Sequence, residues 1–164
     1  MNSIRNICNT KSVSKKRKYL IKILIIFILL YIIITNSLSI MIVKGTSMEP
    51  TIMQGTILVI NKFGNSEKEI KVNHVYLCTI DERPSIKRVI AQGGDLVEFK
   101  QGYIYVNNIK VRKLEVIHDS SFILENDKFY MLGDNLASSV DSRMIGPIDK
   151  NSIHGQVIYA LGKR

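Results

Sequence analysis

The sequence predicts a mostly β domain of antiparallel strands behind one N-terminal transmembrane helix, on three observations. Residues 23–34 read ILIIFILLYIII, twelve apolar residues without a break. Residues 1–22 hold seven cations (Arg5, Lys11, Lys15, Lys16, Arg17, Lys18, Lys22) and no acid. After residue 40 no stretch keeps a 3.6-residue apolar period, and Gly, Asn and Asp punctuate short apolar runs instead. The 164 residues are one domain's worth, 46% hydrophobic and 23% charged, which excludes disordered, collagen-like and multidomain readings.

The charge is informative once it is located. Of the net +9, the 142 residues after Lys22 carry 16 Lys and Arg against 14 Asp and Glu, only +2. A nucleic-acid binder shows its basic excess on the folded part. Here the excess stands in front of a greasy segment, so no nucleic-acid partner is expected.

Tyr19, Leu20 and Ile21 extend the apolar run upstream past Lys22, whose stem can snorkel to the headgroups. Residues 19–38 would make about 30 Å of helix, enough to cross a bilayer with Thr35, Asn36 and Ser37 at the far interface. Lipid offers no partners for bare backbone groups, so a span must be helical despite its β-branched composition. The preceding cations keep the N-terminus in the cytosol. The expected organisation is therefore a basic cytosolic tail (1–18), a transmembrane helix (19–38) and an extracytoplasmic domain (40–164), in the cell membrane as a single pass. A cleaved signal peptide fits the same order, with Ser37 and Ser39 as its small-residue pair. Both readings export the domain. Cys8 and Cys78 would lie on opposite sides and cannot pair within one chain, and Cys78, within VYLCTI, reads as a buried small hydrophobe.

In the exported part, strands are expected at 40–43, 56–60, 75–80, 86–91, 96–99, 103–106, 109–111, 129–132 and 156–161. The stretch DLVEFKQGYIYVNNIKV alternates apolar and polar residues, with turn signals at Gln101-Gly102 and Asn107-Asn108, and predicts an antiparallel meander.

Three kinds of chemistry could draw on these residues. His74, His118 and His154 are the only imidazoles; they are widely spaced and the one exported Cys has no partner, so no metal site is expected. A Ser-His-Asp triad has no G-x-S-x-G elbow behind it, and His118-Asp119 and His154-Gly155 read as turns. The third is a serine activated by a lysine. Ser47, in Gly45-Thr46-Ser47-Met48-Glu49-Pro50, follows a strand and precedes a proline, where a hydroxyl is both fixed and exposed. Lys87 lies in an apolar strand beside Ile86 and Val89, where lost hydration would disfavour its charge and leave an amine able to take a proton. Strand alternation sends one of Lys87 and Arg88 inward without deciding which.

At these residues the chain resembles the type I signal peptidases, the Ser/Lys endopeptidases of membranes. The likeness rests on Ser-Met-x-Pro-Thr at Ser47 to Thr51, Lys-Arg-Val at Lys87 to Val89, Gly94-Asp95, and Gly-Asp-Asn…Ser-x-Asp-Ser-Arg at Gly133 to Arg143. The short form with one span is similar to the Gram-positive enzymes. The resemblance implies the family's antiparallel β fold, with Ser47 as acyl-forming nucleophile, Lys87 as general base and Ser139 as the hydroxyl orienting the lysine amine. It implies Asp141 and Arg143 as a supporting ion pair, Asp134 and Asn135 as structural support, and the Ser47 backbone N–H as oxyanion donor. The substrates implied are exported preproteins, bound extended and cut after a small residue, with the lipid bilayer as the other partner and no metal or other cofactor. Three departures stand out: Gly93 where members commonly carry Pro, Leu136-Ala137-Ser138 where Arg-Asp-Asn is usual, and Gly45 where some carry an oxyanion-donating Ser. Two other readings stay open, a non-catalytic assembly or chaperone module for surface proteins and a peptidase dedicated to one substrate such as a pilin.

Overall fold

The computed structural model describes residues 2–62, 69–114 and 119–162, with backbone alone for 2–15 and 33–36. The predicted turn at His118 lies outside the described residues. The chain divides into two units, Met1–Ser37 and Leu38–Arg164.

The first unit is one helix, α1 (Asn2–Ser37), which runs from the basic tail through the apolar segment without a break. Its large apolar side chains from Tyr19 to Ile32 are exposed. Among the described residues no helix is long and apolar enough to cross a membrane. The helix ends at Ser37; Leu38, assigned from sequence to the span, opens the first strand instead.

Among the described residues the second unit holds eleven strands: β1 (Leu38–Ile42), β2 (Ile57–Lys62), β3 (Val75–Ile80), β4 (Arg83–Gln92), β5 (Leu96–Lys100), β6 (Tyr103–Val106), β7 (Ile109–Lys113), β8 (Ser120–Ile123), β9 (Lys128–Leu132), β10 (Ile148–Asp149) and β11 (Ile153–Leu161). A short helix, α2 (Ser142–Ile145), precedes β10. Seven strands form one sheet in the order β1-β2-β11-β3-β4-β9-β10, and four form a second, β7-β6-β5-β8. All pairings are antiparallel.

The expected meander is β5-β6-β7. Its two turns put Gln101, Gly102, Asn107 and Asn108 at positive φ, the geometry that two-residue hairpin loops need. Strands β8 and β10 were not expected: β8 contributes two apolar residues and β10 is two residues long.

Strand β4 organises the core. Val89 belongs to an apolar cluster with Tyr76, Cys78 and Met131; Ile90 and Ala91 to a second with Val97, Ile104 and Leu132; Ile86 to a third with Met48, Leu58 and Ile60. A strand covered on both faces carries a near-continuous apolar run. Lys87 interrupts that run. The two-residue turn at Asp81 and Glu82, both at positive φ, joins β3 to β4 and sets Tyr76 opposite Lys87.

Candidate active site

Ser47 sits where the chain leaves the β1 edge and turns back. The turn closes with Glu49 N–H donating to Thr46 O at 3.1 Å and Ile52 N–H to Met48 O at 2.8 Å, while Met48, 1% exposed, plugs the turn into the third apolar cluster. Ser47 itself stays half-buried.

Lys87 is 4% exposed, and its Nζ donates to Ser47 Oγ at 3.3 Å. Alternation left Lys87 and Arg88 undecided, and packing settles it. Lys87 is on the face shared with Tyr76, directly across the β3–β4 pairing, while Arg88 reaches Asp134. Burial pushes the Lys87 ammonium below its ordinary value of 10.5; Cys78 and then Asp141 act the other way without cancelling it. A lysine so placed, touching a serine hydroxyl, can hold the proton that the hydroxyl gives up.

A third segment, Gly133 to Arg143, holds this pair from behind. Asn135 N–H donates to Ser47 O at 2.9 Å. Gly133 packs directly on the serine turn: a Cβ there would stand 2.5 Å from Ser47 O and 2.6 Å from Ser139 Cβ, so glycine is required by close approach. Gly133 N–H donates to Asp141 Oδ2 at 3.0 Å. Asp141 is fully buried and takes Arg143 side-on, Nε to Oδ1 at 2.8 Å and Nη2 to Oδ2 at 3.0 Å. It also caps α2 by accepting from Arg143 N–H. Burial raises the Asp141 carboxyl, but Arg143 and the Gly133 N–H more than offset it and hold the group below the ordinary carboxylate value. Arg143 Nη2 further donates to Leu136 O at 2.7 Å and Ser139 O at 3.2 Å, which fastens the loop.

Ser139 is 6% exposed. Its Oγ lies near enough to Asp141 to favour the ionised carboxylate, yet outside hydrogen-bonding geometry, and it makes no bond to Lys87. Asp134 accepts a forked pair from Arg88, Nε to Oδ1 at 2.9 Å and Nη2 to Oδ2 at 2.6 Å, and a further bond from Arg112 Nη2 at 3.1 Å. Burial raises Asp134 and these guanidiniums, with the Thr51 hydroxyl, bring it below its ordinary value.

The structure thus brings Ser47, Lys87, Ser139 and Asp141 to one place and Asp134 beside them. Sequence reasoning missed four contributors: Gly133 as a steric requirement, Asn135 as the donor to Ser47 O, Ser142, whose buried Oγ accepts from Met131 N–H at 2.9 Å, and Arg112. The first three lie inside a motif already quoted. Arg112 had no such signal. His74 and His154 are exposed; the latter shares a 2.6 Å bond with Thr79 Oγ1. Cys78 is a free, fully buried thiol pushed up to about 12 by burial.

Comparison with known proteins gives the family of the chain. The family described as signal peptidase, peptidase S26, matches residues 16–161. Signal peptidase IB of Staphylococcus aureus (strain Mu50 / ATCC 700699) is 28% identical over 166 aligned positions, covering 87% of this chain and 87% of that protein. Signal peptidase I V of Bacillus subtilis (strain 168) is 32% identical over 135 positions, 70% of this chain and 80% of that protein. A crystal structure of a signal peptidase I from Enterococcus faecalis V583 aligns with a TM-score of 0.48 at 20% identity, covering 56% of this chain and 99% of that one. With a family match that leaves out only the two chain ends, the chain belongs to the signal peptidase family, peptidase S26, among the bacterial type I signal peptidases.

Proposed function

We propose that this chain is a membrane-anchored serine endopeptidase that removes N-terminal signal peptides from exported preproteins through a Ser47/Lys87 dyad. The observation that carries the reading is the 3.3 Å contact between the Ser47 hydroxyl and a buried lysine whose proton affinity is lowered. Ser47 Oγ attacks the carbonyl carbon of the scissile peptide while Lys87 Nζ takes the hydroxyl proton and delivers it to the departing amine. The oxyanion falls to the Ser47 backbone N–H. Water, deprotonated in turn by Lys87, attacks the ester carbonyl carbon; the bond to Ser47 Oγ breaks, Lys87 returns the proton to Ser47 Oγ, and the signal peptide leaves with a free carboxylate. No metal or organic cofactor enters these steps.

Asp141 and Arg143 hold the loop that carries Ser139, and Asp134 holds the Arg88 end of β4. Ser139, buried with an unpaired hydroxyl among the described residues, is the group available to orient the amine. Membrane anchoring rests on the apolar run of residues 23–34 and the exposed apolar side chains of α1, with the cations before them retaining the N-terminus in the cytosol. The domains proposed are the basic tail (1–18), the span (19–38, its helix ending at Ser37) and the extracytoplasmic peptidase domain (40–164).

The test is cleavage of a preprotein by the full chain in detergent or lipid, beside Ser47→Ala and Lys87→Ala, with the new N-terminus mapped by mass spectrometry. Cleavage after a small residue, lost in both variants, is expected. Cleavage that survives either substitution sinks the dyad, and release of the chain from membranes by alkaline carbonate sinks the anchor.

A further inference from the structure

Arg112 lies on β7, in the four-stranded sheet, away from the motifs that supply Ser47 and Lys87. Simple alternation along Ile109-Lys110-Val111-Arg112 would place Arg112 with Lys110 on the outer face. The pairing with β6 shows otherwise. Lys110 stands opposite Tyr105 and Arg112 opposite Ile104, with the register shifting between them, so that Val111 is the extra residue of a bulge. Directly opposed residues share a face. Ile104 is fully buried, and Arg112 is therefore turned inward by the bulge, while Lys110 keeps to the outside with its Nζ 3.3 Å from the Tyr103 ring centroid.

Turned inward, Arg112 meets Asp134, whose side chain is 4% exposed. That carboxylate joins β4, β7 and the serine turn. Arg88 comes from the residue after Lys87, Thr51 from the turn that begins at Ser47, and the next residue, Asn135, holds the Ser47 carbonyl. Arg88 already covers both carboxylate oxygens. A second cation on a carboxylate that is already paired adds little to stability, because its own desolvation offsets the gain. What Arg112 adds is a tie from the other sheet, charge-assisted and directional.

We propose that Arg112 is a positioning residue for the cleavage reaction: by holding Asp134 from the four-stranded sheet it fixes the segment Gly133 to Asn135 against the Ser47 turn, and thereby the approach of Ser47 to Lys87. The inference rests on the dyad reading above. It predicts an effect on the rate of the chemical step, with substrate binding and folding little changed.

The experiment uses the full chain in detergent micelles, with steady-state cleavage for KM, single-turnover cleavage with enzyme in saturating excess over a preprotein, and a thermal melt of each variant. Arg112→Gln is expected to lower the cleavage rate about tenfold, the middle of the range for members of one hydrogen-bonded network, with KM within about twofold. Arg112→Lys keeps the charge without the fork and should restore the rate to within about threefold of wild type. In an Asp134→Asn background Arg112→Gln should cost less than about twofold, because its partner is gone. Lys113→Gln, on the exposed edge of the same strand, is expected to cleave as wild type. A wild-type rate for folded Arg112→Gln overturns the proposal, as does a tenfold loss that persists unchanged in the Asp134→Asn background. If Arg112→Gln does not fold, Arg112→Met takes its place in the same cycle; a wild-type rate in that folded variant, or a deficit that persists with Asp134→Asn, overturns the proposal. Should Ser47→Ala or Lys87→Ala still cleave, the dyad itself fails; if both are dead while the Arg112 variants cleave normally, only this inference does.

Discussion

Replacing Gly133 with alanine adds one methyl group at the closest point between the serine turn and the loop behind it. That Cβ would sit 2.5 Å from Ser47 O and 2.6 Å from Ser139 Cβ, and nearer still to Ser139 Oγ. Carbon contacts settle at about 3.5 Å or more, so something must retreat by roughly 1 Å. Neither side is free to do so alone: Asn135 N–H holds Ser47 O at 2.9 Å and Asp141 Oδ2 holds Gly133 N–H at 3.0 Å. The serine turn is the more exposed partner and gives first, which opens the 3.3 Å contact between Ser47 Oγ and Lys87 Nζ. A misplacement of about 1 Å at a reacting group costs on the order of a hundredfold in rate, and overpacking of this size about 1–3 kcal/mol in stability. The assay is preprotein cleavage at saturation beside a urea melt. Gly93→Ala is the control, because its Cβ would press on Glu125 O at 2.8 Å, a loop outside the site, and so should cost stability while sparing the rate. A Gly133→Ala enzyme that is folded and cleaves within about threefold of wild type would refute the steric argument.

The lowered proton affinity of Lys87 predicts a cleavage rate that rises with pH through a value below 10.5 and then levels, and a rate flat from pH 6 to 10 under chemistry-limited conditions would remove Lys87 as base. The same shift fixes a stability trend. Between the folded value and 10.5 the unfolded chain binds more protons, so wild-type stability rises with pH there; Lys87→Met should be more stable than wild type at pH 7 by a margin that shrinks towards pH 10.5, measured by urea melts. Asp141→Asn leaves Arg143 facing a neutral group inside the loop and should cost about 3 kcal/mol at pH 7. The wild-type advantage is lost as pH falls through the depressed Asp141 value, below 3.8. Glu82, at φ 62° in the β3–β4 turn, carries a side chain where glycine is unstrained; Glu82→Gly should stabilise by about 1 kcal/mol, and a melt showing a loss would mean the turn is not as drawn.

What was legible in the sequence depended on how local its cause was. The β5-β6-β7 meander declared itself because two turn dipeptides and strict alternation act within a few residues. The place of β11 between β2 and β3 did not, since nothing in its own residues says which distant strands it will join. Strand β8 was missed for a related reason: Ser120 and Ser121 have little apolar content, and the strand exists because β5 offers a free edge. Arg112 shows the limit most clearly. The alternating pattern around it is sound, and a single extra residue, Val111, reverses the outcome by turning the cation towards Asp134, where it is half-buried. At the site, the approach of Ser47 to Lys87 was expected through resemblance, because forty residues of sequence separate them. The inward turn of Lys87 in place of Arg88 was settled only by packing, with Tyr76 across from it and a paired carboxylate ready for Arg88.

The departures from the family pattern look different once their neighbours are known. Leu136-Ala137-Ser138 lacks the charged and amide groups usual there, yet the segment forms a 3₁₀ turn with Ser138 N–H donating to Asn135 O at 3.2 Å. Leu136 packs against the second apolar cluster, and its carbonyl takes Arg143 Nη2 at 2.7 Å. In this chain apolar burial plus a backbone carbonyl anchors the loop, and Ser139 follows directly from that turn. Gly93 is similar. The backbone of Glu125 and Asn126 lies so close that any Cβ would touch it at 2.8 and 3.0 Å, so a proline ring would force that loop outward. The glycine thus belongs with the position of the 125–127 turn in this chain, and the two have to be changed together.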